Sequence, residues 1–232
     1  MGNDFKFIGE SLYNALQQLG ENVYFVLEDG TKKYTKMCIS DKVSSNQVNP
    51  TNIYEFVGEM AFDNVEEMEF LKGSYFKREI YPEKTYILIS TTENPFSNKF
   101  ATVKILECNK IIDIGYETKI ENDSGGTEIV IQKIYENVSV FAETNTKAPQ
   151  QTKVGDVPRT VTSITMPCDY KISEDDIIII KNFERDKNDI NNVNYIPKTY
   201  SIISDSVSMD FMNTFDGKTF FGVINFDVIK RL

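Results

Sequence analysis

The residues of this chain that could carry chemistry are its carboxylates, because the sequence has 35 Asp and Glu residues and no histidine. Without histidine the chain cannot build Ser-His-Asp or Cys-His nucleophilic sites, and it cannot supply imidazole ligands to zinc, copper or iron. Glu174, Asp175 and Asp176 could form an acid–base pair of the glycosidase type. They stand directly before the apolar run 177–180, so a solvated turn at a strand entry is the favoured interpretation.

Other signatures of cofactor or metal binding are weak. The polar run 186–192 has the composition of a calcium loop, but Ile190 stands where a third oxygen ligand is needed and no glycine follows. Cys38, Cys108 and Cys168 show no C-x-x-C spacing and are expected to be reduced. No phosphate-binding glycine loop is present. We therefore expect no cofactor, no metal site and no enzymatic activity.

The charge of the chain limits its partners. A formal net charge of −10 argues against a protein that wraps nucleic acid, because phosphate binding needs clustered Lys and Arg. An acidic surface suits a channel wall past which DNA slides, although it can also serve solubility alone. The 16 Phe and 12 Tyr are interleaved with acids and aliphatic residues, which indicates core and interface. No apolar run approaches the roughly 20 residues that span a bilayer, so we expect no membrane contact and synthesis in the cytosol.

The elements that must position these residues begin with a helix. Apolar residues at spacings of three and four predict an amphipathic helix over 5–19, with Asn3 or Asp4 as N-cap and Gly20 as the stop. Two β-rich runs, 23–27 and 34–39, flank Asp29-Gly30 and predict a β-hairpin. A polar loop over 40–52 and a short helix over 64–72 follow.

From residue 81 the chain is dominated by short β-branched and aromatic runs. Strands are predicted over 85–91, 101–106, 111–116, 128–141, 160–165, 177–180, 195–203 and 219–229. The segment 143–159 contains two prolines and no apolar periodicity, which indicates a loop or mobile arm. The sequence therefore predicts a mainly β fold, a barrel or sandwich with an N-terminal helix and a few short helices. The sequence predicts two regions. Residues 1–80 contain the helix, the hairpin and a loop region, and residues 81–232 form a barrel-like domain.

Two blocks of sequence resemble connector proteins of tailed bacteriophages. The first runs from Tyr-Pro-Glu-Lys-Thr-Tyr-Ile-Leu-Ile-Ser at 81–90 through Ile-Leu-Glu-Cys-Asn-Lys at 105–110 to the strand 111–116. The second is Met-Pro-Cys-Asp-Tyr-Lys-Ile-Ser-Glu-Asp-Asp-Ile at 166–177, which is similar to the acidic turn before a barrel strand of such proteins. Together the blocks cover less than half of the chain.

The resemblance implies a structural virion protein of the head-closure or neck type, assembled in the host cytoplasm. Such a protein forms a ring of identical subunits between the portal or adaptor and the tail proteins, retains DNA and lets it pass without specific binding. For subunit contacts we expect the arm 143–159, with Glu143, Pro149, Val154, Pro158 and Arg159 as contact residues. A disordered surface loop is the alternative for this arm. Another tail component or a receptor-attachment binding module remains open as a function, and so does a hydrolase that uses two carboxylates.

Overall fold

The computed structural model of the chain describes residues 2–27, 30–40, 54–63, 67, 71–95, 97–121, 125–152, 155–185, 193–203, 206–215 and 218–231. Within these ranges it contains one α-helix followed by β-strands throughout, which confirms the mainly β class with an N-terminal helix. The predicted loop 40–52, the helix 64–72 and the polar loop 186–192 fall largely or wholly outside the described residues. In the described part of the chain, no helix has the length and apolarity needed to cross a membrane.

The chain divides into two compact units. The first comprises Met1–Cys108, Pro167–Asp169 and Met209–Val223, and the second comprises Asn109–Met166, Tyr170–Ser208 and Ile224–Leu232. The boundary that the sequence indicates between 80 and 81 falls inside the first unit. Arg78 and Tyr81 are paired there across neighbouring strands, so the two sides of that boundary share one sheet.

The first unit is built on a closed antiparallel barrel of six strands. These are β1 (Glu21–Val26), β2 (Lys32–Ser40), β3 (Glu55–Ala61), β4 (Tyr75–Arg78), β5 (Tyr81–Asn94) and β6 (Ser97–Glu107). Their order around the barrel is β1-β2-β3-β6-β5-β4. The predicted β1–β2 hairpin is confirmed, and Gly30 in its turn has a φ of 79°, which glycine adopts without strain. Closure leaves the barrel without an unpaired edge.

Buried and exposed side chains alternate along these strands, and the buried ones fill the barrel interior. In β1, for example, Val23 and Phe25 are buried while Asn22 and Val26 are exposed, the period of two that a half-buried strand requires. Phe76 lies at the centre, with its ring 5.4 Å from those of Phe25 and Tyr86. The core of this barrel consists of Val23, Phe25, Met37, Met60, Phe62, Leu71, Phe76, Tyr86, Leu88, Ala101, Val103 and Ile105.

The N-terminal helix α1 spans Gly2–Leu19, so it begins before the predicted caps Asn3 and Asp4. It ends where the sequence predicts, at Gly20. The Gly20 N–H makes the last bond of the helix, to Leu16 O at 2.8 Å. A Cβ atom at position 20 would lie 2.5 Å from that carbonyl oxygen, a distance that only glycine avoids. The helix therefore stops at the entry to β1.

A second sheet follows. Its strands are β7 (Lys110–Glu121), β8 (Thr127–Thr152), β9 (Gly155–Pro167), β10 (Ile177–Arg185), β11 (Val193–Ile202), β12 (Ser208–Phe215) and β13 (Lys218–Lys230). The order is β11-β10-β7-β8-β9-β13-β12, and a further pairing of β11 with β13 closes six of the strands into a ring. The runs of isoleucine in β7 and β10 supply buried side chains at Ile112, Ile114, Ile177, Ile178 and Ile180.

The structure corrects the prediction that the segment 143–159 is a loop. In the structure β8 continues to Thr152 and β9 begins at Gly155, and the two strands pair from Phe141↔Thr165 out to Thr152↔Gly155. Pro149 lies in a register shift between Lys147 and Gln150, and Pro158 falls between their partners on β9. Because proline cannot donate to the ladder, both prolines are tolerated where regular pairing is interrupted. They bend the hairpin rather than ending it.

Candidate assembly surfaces

Helix α1 is held against the first barrel by few side chains. Leu16 packs with Ala61 and Phe100, and Tyr13 lies against this small cluster. Several other apolar side chains that the structure describes in this helix are exposed to solvent: Phe7 is 73% exposed, Leu12 is 46% exposed and Leu19 is 79% exposed. The amphipathic stripe that the sequence predicts is thus present, but the single chain leaves most of it uncovered. Contiguous exposed apolar side chains of this kind are typical of interaction surfaces.

An apolar groove of about 280 Å³ runs beside α1, and we call it the α1 groove. It is bounded by the helix on one side and by β2, β3, β5 and β6 on the other. This volume is at the lower end of the range for small-molecule sites, and it suits one or two side chains of a protein. The groove is lined by Leu12, Ala15, Leu16, Leu19, Cys38, Glu59, Asn94 and Phe100.

The carboxylate of Glu59 is the unusual feature of the α1 groove. Its Oε1 accepts a hydrogen bond from the Thr102 hydroxyl at 2.7 Å. Its Oε2 is buried and has no hydrogen-bond partner among the described residues. An unpaired buried polar atom costs about 1–3 kcal/mol, and more when it belongs to a charged group. Because Oε2 has almost no accessible surface, its missing hydrogen bond is a cost to the free subunit and not an open acceptor site of the groove.

The outer end of the β7–β8 hairpin is highly exposed. From Tyr116 to Glu121 and from Thr127 to Ile129, every side chain except that of Thr118 is exposed. Ile120 is 51% exposed and Ile129 is 60% exposed. Fully burying an isoleucine gains about 1.5–3 kcal/mol, so the hairpin carries surface that gains free energy by contact.

One face of this hairpin combines an apolar and a basic side chain. Lys119 lies directly opposite Ile129 across the two strands, and opposed residues share a face of the sheet. With the described residues, Lys119 makes no ion pair and no side-chain hydrogen bond. On the other face Ile120 lies opposite Glu128. The Lys119–Ile129 face also carries Glu117 and Glu121, two residues before and after Lys119, so both faces of the hairpin bear acids.

Asp113 anchors the base of the same hairpin. Its side chain is 1% exposed and contacts Lys181 Nζ at 2.6 Å and Lys133 Nζ at 2.9 Å. The Asn137 N–H donates to its Oδ1 at 2.9 Å. Burial by itself raises the pKa of the Asp113 carboxyl, but hydrogen bonds from Lys181, the Asn137 N–H and Lys133 outweigh it and hold the pKa below its ordinary value.

The Asp113 cluster coincides with an irregularity in the sheet. The β7–β8 register shifts between Ile112 and Ile114 and again before Gly115. Asn137 has a φ of 58°, a conformation that asparagine tolerates better than most residues, and its side-chain oxygen accepts from Lys181 at 2.6 Å. Bulges bend and twist a strand, so this cluster sets the direction in which the hairpin leaves the sheet.

The arm that the sequence indicates for subunit contacts lies at the other end of β8. Glu143 pairs with Ser163, and Lys147 pairs with Arg159. Pro149 and Pro158 are on opposite strands of this hairpin, so four of the five predicted contact residues fall on one element, and Val154 lies outside the described residues. The expectation that these residues make subunit contacts stays a prediction.

A third surface lies on the first barrel. The rings of Tyr24 and Tyr34 are paired across β1 and β2 with centroids 5.6 Å apart, and Lys32 Nζ lies 4.4 Å from the Tyr24 centroid. Lys77 on β4 pairs with Tyr24 from the other side, and Lys36 follows on β2. The pairing of strands thus brings tyrosine and lysine together, although along the sequence the aromatic residues stand mainly among acids and aliphatic residues.

The other chemical candidates occupy ordinary structural positions. Asp176 is buried and its Oδ2 accepts from the Ser173 N–H at 2.7 Å, while Glu174 and Asp175 are exposed, as in a solvated turn. None of the three cysteines forms a disulfide, and burial raises the pKa of the Cys108 thiol. Within the described ranges, no three Asp, Glu or Cys side chains are grouped in a way that could hold a metal ion.

Comparison of the chain with protein-family models, with curated proteins and with solved structures finds no match.

Sequence patterns alone do not predict the α1 groove or the exposed surface of the β7–β8 hairpin. One signal was available, because Asp113 interrupts the apolar run 111–114, where an acid must find partners if the strand is buried. Glu59 gives no comparable signal, because only the pairing of β3 with β6 brings its partner Thr102 to it.

Proposed function

We propose that this chain is a structural assembly protein that forms a ring of identical subunits. The observation that carries the proposal is the exposed apolar surface of the β7–β8 hairpin, where Ile120 and Ile129 stand in water on strands that the second sheet holds in place. Exposed apolar side chains of this kind stabilise a subunit only when another protein buries them. The uncovered side chains of α1 add a second surface of the same kind.

The specific ring we propose is that of a tailed-bacteriophage neck, in which the protein closes the head, retains DNA and joins the portal or adaptor to the tail. Two blocks of sequence, 81–117 and 166–177, support this through their resemblance to connector proteins. The net charge of −10 supports a wall that DNA passes without specific binding. The absence of histidine supports a mechanical rather than a catalytic role. The protein would then reside in the virion after assembly in the host cytoplasm.

A second candidate function is a binding module of the tail or receptor-attachment type. The surface around Tyr24 and Tyr34 favours it, because aromatic rings beside Lys32, Lys36 and Lys77 suit an anionic ligand. A polar groove of about 320 Å³ adjoins this surface and includes Tyr34 and Lys36. A binding module needs no self-association, so the two candidates differ in the state of the free protein.

The mass of the purified protein in solution separates the two functions. We expect native mass spectrometry and sedimentation velocity to find one closed oligomer whose mass is an integral multiple of 26.6 kDa. Electron microscopy of that oligomer should show a ring with a central opening. A chain that remains monomeric at the highest attainable concentration contradicts the proposed ring and leaves the binding module as the better interpretation.

A further inference from the structure

We infer that an exposed apolar stripe of helix α1 packs against the same stripe of a second copy of this chain, with the two helices antiparallel. We call it the α1 stripe, and it consists of Ile8, Leu12, Ala15 and Leu19, all of which are exposed in the single chain. This contact goes beyond the proposed ring contact and does not depend on it, because it uses α1 and not the β7–β8 hairpin.

The spacing of the α1 stripe is typical of a helix that packs on another helix. Steps of four, three and four residues follow one another along it, which is the a and d spacing of a coiled coil. At 3.6 residues per turn the four side chains fall within an arc of about 60°. Leu16 and Tyr13, which pack on the barrel, lie about 70° and 130° from the centre of that arc. The barrel therefore holds one side of the helix and leaves the stripe uncovered.

The stripe carries no charge that would oppose self-association. Among residues 7–19 the one charged side chain is Glu10, and helical geometry places it on the side of α1 opposite the stripe. A net charge of −10 makes copies of this chain repel each other in general. A helix face without acids is the kind of surface through which such copies can associate.

The sizes of the side chains select a second α1 as the partner and fix its direction. In an antiparallel pair centred between Leu12 and Ala15, Leu12 of each copy faces Ala15 of the other, and Ile8 faces Leu19. A large side chain then meets a small one across the middle of the seam, as in a well-packed core. A parallel pair would instead place Ala15 against Ala15 and leave a gap. The stripe is thus complementary to its own reverse.

The area of the stripe agrees with a helix pair that flanking residues complete. Ile8, Leu12 and Leu19 are 43%, 46% and 79% exposed. With Ala15 they offer roughly 350–400 Å² per copy, so two copies would bury about 700–800 Å² of apolar surface, against about 1,000 Å² in total for a specific interface. The exposed polar residues Ser11 and Gln18 beside the stripe can supply the remaining contact.

A contact of this kind is two-fold, since both copies use the same residues. A two-fold pair does not extend a ring, but it can join two rings through their helices. We therefore expect the wild-type oligomer to contain an even number of copies of the 26.6 kDa chain.

The first arm of the test places a charge in the seam. Leu12→Glu should halve the mass of the oligomer in native mass spectrometry and sedimentation velocity, because it brings two acids into the middle of an apolar contact. Leu19→Glu repeats the test at a side chain that is 79% exposed, where the fold of the single chain does not depend on leucine. Circular dichroism checks that each variant is folded.

Phe7→Glu is the matched control. Phe7 is 73% exposed on the same helix, but it lies about 110° from the centre of the stripe. The substitution makes the same change from an apolar to an acidic side chain, and we expect it to leave the mass of the oligomer unchanged.

The second arm tests the direction of the helices with a disulfide. In a Cys38→Ser background, which removes the exposed native thiol beside α1, Ile8→Cys and Leu19→Cys together should give a covalent dimer on a non-reducing gel after oxidation with copper phenanthroline. The two positions are about 16 Å apart along one helix, whereas disulfide-bonded Cα atoms lie within about 7 Å, so the bond cannot form within a chain. Each single variant should give no covalent dimer, because an antiparallel pair keeps like positions apart.

The outcomes separate the helix pair from the proposed ring. A wild-type chain that stays monomeric overturns both. A wild-type dimer that Leu12→Glu converts to a monomer supports the helix pair and contradicts the ring. An oligomer whose mass is unchanged in Leu12→Glu and Leu19→Glu overturns the helix pair and leaves the ring in place, since the stripe then serves another partner. An equal loss of mass with Phe7→Glu also overturns the pair, and covalent dimers from Ile8→Cys alone would contradict the antiparallel direction.

Discussion

Two carboxylates, Asp113 in the second unit and Glu59 in the first, have opposite surroundings. Asp113 in the second unit is paired with two lysines and a backbone N–H, so its charge is balanced within the chain. Glu59 in the first unit has one hydroxyl donor, and one of its oxygens is buried without a partner among the described residues. A fully paired acid stabilises the fold that contains it, whereas an unpaired acid destabilises the free subunit and gains free energy when a donor arrives.

The contrast gives each residue a distinct role. Asp113 fixes the base of the β7–β8 hairpin. Glu59 accepts one hydrogen bond from Thr102 and carries the cost of an unpaired buried oxygen. Substitutions at the two positions should therefore change stability in opposite directions, and the largest effect should come from Asp113.

Asp113→Ala should lower the free energy of unfolding by about 3 kcal/mol, because it removes the carboxylate shared by Lys181 and Lys133 and leaves the Asn137 N–H without its acceptor in a largely buried place. Denaturant unfolding measures this change. Asp175→Ala is the matched control at an exposed aspartate and should change the free energy by no more than about 0.5 kcal/mol. Equal effects of the two substitutions would show that the Asp113 cluster is not a stabilising element.

Asn137→Ala should destabilise the chain by about 2 kcal/mol, since alanine is strained at a φ of 58° and cannot accept from Lys181. Asn137→Gly removes the same side-chain contact without the backbone strain, so it should recover about 1 kcal/mol of that loss. The difference between the two variants in denaturant unfolding isolates the contribution of the backbone. If glycine is no better than alanine, the left-handed conformation does not contribute to the loss.

Lowering the pH should reveal how much the ion pairs of Asp113 contribute to the stability of the fold. Because the pKa of its carboxyl is lower in the folded chain than in the unfolded chain, its contribution to stability is complete above the ordinary carboxyl pKa of about 3.9. That contribution disappears as the pH falls through the folded pKa. The unfolding midpoint of the wild type should therefore fall more steeply below pH 4 than that of Asp113→Asn, which is the control. Parallel curves would contradict the assignment.

The smallest effect, and the one of opposite sign, should come from Glu59. Glu59→Met replaces the unpaired oxygen by an apolar group of similar length and should stabilise the dissociated subunit by about 0.5–1 kcal/mol in thermal or chemical unfolding at low concentration. Glu59→Gln keeps a buried polar atom without a partner and should give no gain. A clear loss of stability with Glu59→Met would remove the difference between the two acids.

The strands themselves could be predicted from sequence because their signal is local. Runs such as 85–91 and 177–180 are dense in β-branched and aromatic residues, and each lies within an observed strand. The same local criterion failed over 143–159, where two prolines favour a loop. There the pairing partner, which lies across the hairpin, decides the structure, and both prolines occupy one irregular step of the ladder.

The functional surfaces could not be predicted in this way, since they depend on residues far apart in the chain. Asp113 meets Lys181 only because β10 pairs with β7, and Glu59 meets Thr102 only because β3 pairs with β6. Tyr24 and Lys77 are likewise opposed through the closure of the barrel by β1 and β4. Register and closure are properties of the whole sheet, and composition along one segment does not specify them.

The length of β8 has a mechanical consequence. Thr127–Thr152 is one continuous strand that pairs with β7 over its first half and with β9 over its second, so the two hairpin tips stand at opposite ends of a single backbone. At about 3.3 Å per residue, such a strand reaches up to roughly 85 Å. Tension applied between the tips would run along the covalent backbone of β8, so its hydrogen bonds to β7 and β9 would not have to carry the load. A subunit gripped at both ends would thus transmit force without unravelling.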